Sequence, residues 1–316
     1  MQENKKTKNG YLLGRERAVR TKDGLELWAE DFGDRGDPTL LLVMGAQAQG
    51  VQWNDGLVRR LVDGGLRVIR YDHRDTGRSS RVDFAARPYT VADMASDALA
   101  VLDAFGADRA HLVGASLGGI IAQRLAVTRP DRVLTLTSLS SQPLGTDTAA
   151  AVQRALSGAA PLPGELPPPR PELLAALTSA FSEPEAGPEE YLAARLPLWR
   201  VLHGPVLPFP EDEYRAMERR VYERATDLQA ALNHTLAGAA GGDDTAALSR
   251  VSAPTLVLHG TEDPMFPPEH AWATAAAIPG ARLVLVEGMG HTLPTALDDR
   301  LADEILHHLG RAVRAA

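Results

Sequence analysis

The sequence predicts an α/β fold whose mostly parallel sheet of eight strands carries helices on both faces. Two observations predict it: short apolar segments rich in β-branched residues alternate with amphipathic helical segments, and a helical block interrupts this alternation once. Continuous apolar strands are typical of parallel strands that are buried on both faces.

The strands and helices can be assigned in chain order. Arg15–Arg20 and Leu25–Glu30 flank the turn residues 22–24, which predicts a hairpin. The further predicted strands are Thr39–Met44, Leu66–Tyr71, His111–Val113, Val133–Leu139, Pro254–His259 and Arg282–Glu287. Helical periodicity predicts helices over 52–63, 90–105, Leu117–Val127, 268–278 and 296–313.

The sequence pattern changes near residue 142. No strand pattern is evident before residue 246, and helical periodicity covers Pro171–Phe181, Glu189–Leu202 and Glu211–Ala240. We therefore predict a helical cap, residues 142–245, inserted in a core formed by residues 1–141 and 246–316. Such a cap would cover the carboxyl edge of the sheet, where open α/β sheets bind their ligands.

Composition excludes several classes of function. The chain has 316 residues, a formal net charge of -8 and no cysteine. An acidic surface repels nucleic acid, and the lack of cysteine excludes disulfides and a thiol nucleophile. No side-chain cluster has metal-ligand spacing, so we expect neither metal nor cofactor. The first residues lack the apolar region of a secretory signal, and no apolar run approaches the ~20 residues of a membrane span, so we expect a cytoplasmic protein.

The segment Gly114-Ala-Ser116-Leu-Gly118 matches the pattern G-x-S-x-G between a predicted strand and a predicted helix. In this context the turn is so tight that glycine is needed on both sides, and the serine hydroxyl is exposed at the end of the sheet. The alternative is a serine that caps a helix. The strand and helix context favours Ser116 as a catalytic nucleophile.

A serine hydroxyl needs a base, and the base needs an orienting acid. Asp263 follows one late strand and His291 follows the next, so the chain order Ser116, Asp263, His291 predicts a triad at one edge of the sheet. His73 is the main competitor as base because it also follows a strand, and Glu262 competes with Asp263 as acid.

The developing oxyanion needs backbone NH donors. We expect one from Leu117, the residue after the nucleophile. The other should come from the loop Met44-Gly45-Ala46, and we favour the NH of Ala46.

The segments LLLVMG before Ala46, YDHRDTGRS at 71–79 and GMGH at 288–291 together resemble the α/β-hydrolase superfamily and, within it, the anthracycline methylesterases. The resemblance implies the α/β-hydrolase fold, Ser116, Asp263 and His291 as the triad, and Ala46 and Leu117 as oxyanion donors. It also implies hydrolysis of a methyl ester on a hydrophobic, polycyclic small molecule.

The residues that contact the substrate are harder to predict. We expect Gly45, Trp199 and Met289 among them, with Phe181 and Leu202 as further candidates for lining an apolar pocket. The same triad also serves lactonases, C–C hydrolases, acyltransferases and perhydrolases, and a ligand sensor on this fold is a remote alternative.

Overall fold

The structure is a computed structural model that describes residues 7–8, 11–180, 187–239 and 245–315. Its strands are β1 (Thr7–Lys8), β2 (Tyr11–Leu12), β3 (Arg15–Arg20), β4 (Glu26–Phe32), β5 (Thr39–Val43), β6 (Arg67–Tyr71), β7 (Ala110–Ala115), β8 (Val133–Leu139), β9 (Thr255–Gly260) and β10 (Arg282–Val286). Its α-helices are α1 (Asp55–Asp63), α2 (Val91–Ala104), α3 (Leu117–Thr128), α4 (Thr148–Leu156), α5 (Pro171–Ala180), α6 (Pro188–His203), α7 (Glu211–Arg224), α8 (Asn233–Ala239), α9 (Pro268–Ala277) and α10 (Asp298–Ala315).

Eight of the strands form one sheet in the order β10-β9-β8-β7-β5-β6-β4-β3. The six strands from β10 to β6 are mutually parallel, while β4 runs antiparallel to both β6 and β3. The predicted eight-stranded, mostly parallel sheet and its first hairpin are therefore confirmed. Parallel strands end at one edge, so the loops after β5, β7, β9 and β10 all emerge together.

Helices cover both faces of the sheet, because the central strands are apolar on both sides. In β5, Leu41 and Val43 pack with α2 and α3, whereas Leu40 and Leu42 pack with α1 and α10. This alternation follows from the period of two in a strand. Because helices cover both sides of β5, neither face of this strand is polar.

Five of the described α-helices, α4 to α8, lie between β8 and β9, in the segment 142–245 that the sequence predicts to be a cap. The helical pattern over Glu211–Ala240 does not form one continuous helix, and Ala240 lies outside the described residues. The chain leaves α7 after Arg224, where the Thr226 amide donates to the Gly77 carbonyl of the core at 2.9 Å, and α8 starts only at Asn233. Helical periodicity is a local pattern, so it carries no information about this contact with the core.

Two smaller features were not predicted: helix α4 and the short β1–β2 pair. Among the described helices, none has both the length and the apolar composition needed to cross a membrane.

The buried centre of the sheet leads to a stability prediction. Leu42 is completely buried between β6 and β7, so Leu42→Ala should lower the free energy of unfolding by roughly 2–5 kcal/mol. Leu156 on α4 is 68% exposed, so Leu156→Ala should change the free energy of unfolding by less than about 0.5 kcal/mol. Denaturant titration followed by circular dichroism measures both, and equal losses would contradict this description of the core.

Candidate active site

The serine of the G-x-S-x-G segment lies in the tight turn between β7 and α3. Ser116 has φ 53° and ψ -121°, a conformation that residues other than glycine rarely adopt and that costs roughly 1–3 kcal/mol. Its amide donates to the Leu139 carbonyl at 3.0 Å, and its carbonyl accepts from the Ser141 hydroxyl at 2.7 Å. These bonds to the end of β8 hold the strained turn in place.

Close backbone approaches require both glycines of the segment. A Cβ atom at Gly118 would lie 2.0 Å from the Val43 carbonyl oxygen, and one at Gly114 would lie 2.1 Å from the Gly118 carbonyl oxygen. The turn is therefore packed against the end of β5 with no room for a side chain.

Asp263 and His291 come from the loops after two neighbouring parallel strands. Gly260 at the end of β9 pairs with Val286 at the end of β10, so the two loops leave the sheet side by side. His291 Nδ1 lies 2.8 Å from Asp263 Oδ2 and 3.0 Å from Oδ1. Since a carboxylate only accepts, Nδ1 carries a hydrogen, which leaves Nε2 as the ring nitrogen available to act as a base.

The carboxylate of Asp263 is completely buried and well supplied with donors. Oδ1 also accepts from the backbone amides of Met265 and Phe266, each at 2.9 Å. Burial by itself raises the pKa of this carboxyl, but the charge and hydrogen bond of His291, the nearby His259 and the Phe266 amide outweigh it and lower the pKa. Asp263 is therefore ionised at neutral pH and fixes the ring of His291.

The competing acid and base occupy other positions. Glu262 lies 3.6 Å from Arg170 in an ion pair. His73 is buried, its Nε2 donates to the Met44 carbonyl at 2.8 Å, and burial together with the nearby His234 lowers its pKa to about 3. The structure thus brings Asp263, not Glu262, to His291, and gives His73 a role in holding the loop after β5.

The cap holds the loop that carries His291. The His291 amide donates to the Leu202 carbonyl at the end of α6 at 2.7 Å. A Cβ atom at Gly290 would lie 2.3 Å from the carbonyl oxygens of Leu202 and His203, so only glycine permits this approach. The position of the histidine therefore depends on the cap as well as on the sheet.

The two expected oxyanion donors belong to segments that adjoin Ser116, the loop after β5 and the start of α3. A Cβ atom at Gly45 would lie 3.2 Å from Ser116 Cβ and 3.7 Å from its hydroxyl oxygen, so the loop after β5 runs beside the nucleophile. Helix α3 begins at Leu117, whose amide has no acceptor within the helix. Ala46 is exposed on the wall of the adjoining cavity.

A cavity of about 270 Å³ opens beside Ser116 and His291, which both line it. Its walls come from the loop after β5, from helices α5, α6 and α7 of the cap, and from the loops after β9 and β10. Large apolar side chains form much of the lining: Leu177, Leu198, Trp199, Leu202, Met217 and Met265. An acyl group with extended apolar surface would fit these walls.

The predicted contact residues divide between two places. Gly45, Trp199 and Leu202 line the cavity. Met289 is instead completely buried in the core between the sheet, α1 and α10, so its position does not support the expectation that it contacts the substrate. Phe181 lies outside the described residues.

Sequence reasoning missed the polar and aromatic partners in the cap. Tyr214 donates to the hydroxyl of Thr292, the residue after His291, at 2.6 Å, and its ring stacks on Trp199 with centroids 5.4 Å apart. The Trp199 indole donates to Glu218 at 2.5 Å. Only the resemblance of the segment around Tyr214 to related enzymes could have drawn attention to it. Among the described residues, no group of three or more His, Asp or Glu side chains is arranged to hold a metal ion.

The chain is similar over most of its length to known hydrolases. The rhodomycin D methylesterases DnrP of Streptomyces peucetius and DauP of Streptomyces sp. strain C5 are 43% and 42% identical to the chain over 288 residues, 91% of this chain and 96% of each relative. A crystal structure of a hydrolase from Pseudomonas aeruginosa superposes with a TM-score of 0.70 and 27% identity, covering 94% of this chain and 99% of the other.

The relatives confirm the resemblance that the sequence motifs indicated. The family described as the alpha/beta hydrolase fold matches residues 38–294, from the start of β5 to the loop beyond His291. By this match and by the sheet, the serine turn and the inserted helices, the chain belongs to the α/β-hydrolase family.

Proposed function

We propose that the protein is a serine esterase that cleaves the methyl ester of a hydrophobic, polycyclic small molecule through an acyl-enzyme. The observation that carries the proposal is the strained Ser116 turn in the wall of an apolar cavity that His291, bonded to the buried Asp263, also lines. The protein is a carboxylic ester hydrolase, as expected from the sequence, and its relatives over nearly the whole chain are named methylesterases.

Acylation begins when the Ser116 hydroxyl attacks the ester carbonyl. Nε2 of His291 takes the hydroxyl proton, and the ionised Asp263 stabilises the imidazolium that forms. The negative charge on the carbonyl oxygen is met by the amides of Ala46 and Leu117. The first amide of α3 also lies at the positive end of that helix, which favours an anion.

Collapse of this intermediate releases the alcohol. His291 returns its proton to the leaving oxygen, so methanol departs and the acyl group stays on Ser116. The same histidine then removes a proton from water, which attacks the acyl carbonyl and frees the acid. Each step uses side chains and backbone amides of this chain.

The substrate class rests on the relatives and on the cavity. A methyl ester has a small leaving group, so recognition must come from the acyl side, where Trp199, Leu198 and Met217 offer apolar surface. Two relatives are named for rhodomycin D. A flat aromatic acyl group would bury its faces against such walls.

The domain assignment belongs to the same proposal. Residues 142–245 act as a cap that shapes the acyl site, and residues 1–141 and 246–316 form the core that supplies the triad and both oxyanion amides. The chain contains no cysteine, which suits the reducing cytoplasm where we propose that it acts.

The nucleophile can be tested directly. Ser116→Ala should lower kcat for p-nitrophenyl butyrate by about 10⁴-fold or more, because the acyl-enzyme cannot form. Ser249 is an exposed serine that is distant from Ser116 in the sequence. Ser249→Ala is therefore the control and should keep wild-type kcat. Circular dichroism verifies that both variants fold. Turnover that survives in Ser116→Ala would remove this residue from the mechanism.

The acid can be tested with adjacent residues. Asp263→Asn should lower kcat by roughly 10⁴-fold, because the amide no longer holds the correct tautomer of His291. Glu262→Gln, one position earlier, should change kcat by less than about three-fold. Steady-state kinetics at neutral pH measure both, and a larger loss in Glu262→Gln would reverse the assignment.

The substrate class is tested by comparing esters. We expect kcat/KM for a carboxymethylated anthracycline, followed by mass spectrometry of the acid, to exceed that for p-nitrophenyl acetate and butyrate by at least about ten-fold. Trp199→Ala should reduce this preference while sparing the small esters. If only small aryl esters are cleaved, the polycyclic methyl ester is not the substrate.

A further inference from the structure

Two buried histidines hold the loop that carries the Ala46 amide. On one side, Nε2 of His73 donates to the Met44 carbonyl at 2.8 Å. On the other, Nδ1 of His234 accepts from the Gln47 amide at 2.9 Å. The peptide that bears the Ala46 NH therefore lies between two anchored peptides.

His234 belongs to the cap, whereas the loop belongs to the core. The residue is the second of α8, only 1% of its surface is exposed, and its Nε2 donates to the Arg74 carbonyl at 2.8 Å. Arg74 is itself fixed by two bonds of 2.7 Å to the carboxylate of Asp97. The next ring, His73, packs edge to face on His234 with centroids 5.7 Å apart. The imidazole is thus held on all sides.

The hydrogen bonds define the state of the His234 ring. A carbonyl can only accept, so Nε2 carries the hydrogen, and an amide can only donate, so Nδ1 carries none. Burial lowers the pKa of His234, which keeps the ring neutral. A charged ring would place two donors face to face at the Gln47 amide.

Gln47 needs such an acceptor. Its φ of 64° lies in the left-handed region that residues other than glycine adopt uncommonly, so the loop must be held by its surroundings. If the Gln47 amide lost its partner, the peptide could rotate, and the neighbouring Ala46 NH would turn with it. An oxyanion donor works only when its direction is fixed before the reaction.

We propose that His234 is a positioning residue for ester hydrolysis: by accepting the Gln47 amide, this cap residue orients the Ala46 NH toward the oxyanion. The inference rests on the proposed function, because it takes Ala46 as a donor. It makes the cap a contributor to transition-state stabilisation as well as to substrate binding.

Replacing His234 by asparagine or by glutamine separates the effects of the two hydrogen bonds that its ring makes. Asparagine places its side-chain oxygen near the position of Nδ1, so His234→Asn keeps an acceptor for Gln47 and loses the bond to Arg74. Glutamine places its NH₂ near the position of Nε2, so His234→Gln keeps the donor to Arg74 and loses the acceptor. Each variant loses one hydrogen bond, so we expect similar falls in melting temperature.

The experiment measures kcat and KM of both variants with p-nitrophenyl butyrate. His234→Gln should lower kcat by roughly 10- to 100-fold with KM within about three-fold, since misplacing an oxyanion donor acts on the transition state. His234→Asn should keep kcat within about three-fold of wild type. Inhibition by phenylboronic acid, which forms a tetrahedral adduct on a serine, should weaken in His234→Gln by a similar factor.

A neighbouring residue supplies the control. Thr235 is exposed and accepts from the side chain, not the backbone, of Gln47 at 3.4 Å, so Thr235→Val should retain wild-type kcat. Equal kcat in His234→Gln and His234→Asn, or losses that follow melting temperature alone, would overturn the inference while leaving the esterase intact. A wild-type protein without Ser116-dependent turnover would overturn the proposed function, and the inference with it.

Discussion

The close packing of the β7–α3 turn against the end of β5 is the constraint on which the rest of the site depends. Ser116 keeps its strained backbone because Gly114 packs closely on the backbone of Gly118, and Gly118 on that of Val43. Hydrogen bonds to the end of β8 and the residues after it also hold the turn. The stability of the buried sheet on either side compensates for the free-energy cost of the strained Ser116 backbone. The same packing that strains the turn also brings the loop after β5 beside Ser116, so the proposed nucleophile and the loop of the proposed oxyanion donor lie next to each other.

The segment YDHRDTGRS forms hydrogen bonds that join the core to the cap. Asp72 accepts from the Gly50 amide and from Arg224 of α7, each at 2.8 Å, and Asp75 accepts from Tyr89 and from Asn233 of α8. These aspartates and the two residues between them are buried, and each binds a different part of the chain. A buried polar group needs a partner, so substitution of any one would leave another group unsatisfied. We therefore expect substitutions in this segment to destabilise the contact between the core and the cap.

The fold could be read from the sequence where local pattern and long-range packing agree. Apolar strands and the meeting of loops at one edge follow from rules for parallel sheets, whereas the glycines around Ser116 and the positions of Asp263 and His291 follow the pattern of the α/β-hydrolase fold. Met289 and the break after Arg224 could not be read in this way. Met289 is completely buried in the core, and the chain contacts the core through the bond from Thr226 to Gly77 where α7 ends; both are long-range contacts that a local sequence pattern does not contain.

Two points of contact between the cap and the core hold backbone amides in the loops of the proposed base and the proposed oxyanion donor, and this limits how the cap can change. The Leu202 carbonyl holds the amide of His291, and the ring of His234 holds the amide of Gln47. Between these points, Trp199 and Met217 face the cavity and make no bond to the triad or to the oxyanion loop among the contacts of the described residues. Under the proposed function, substitutions at such wall positions would alter the shape offered to the acyl group and leave the proposed base and oxyanion donor in place. Substrate preference could then change through the cap wall while the ends of α6 and α8 remain fixed.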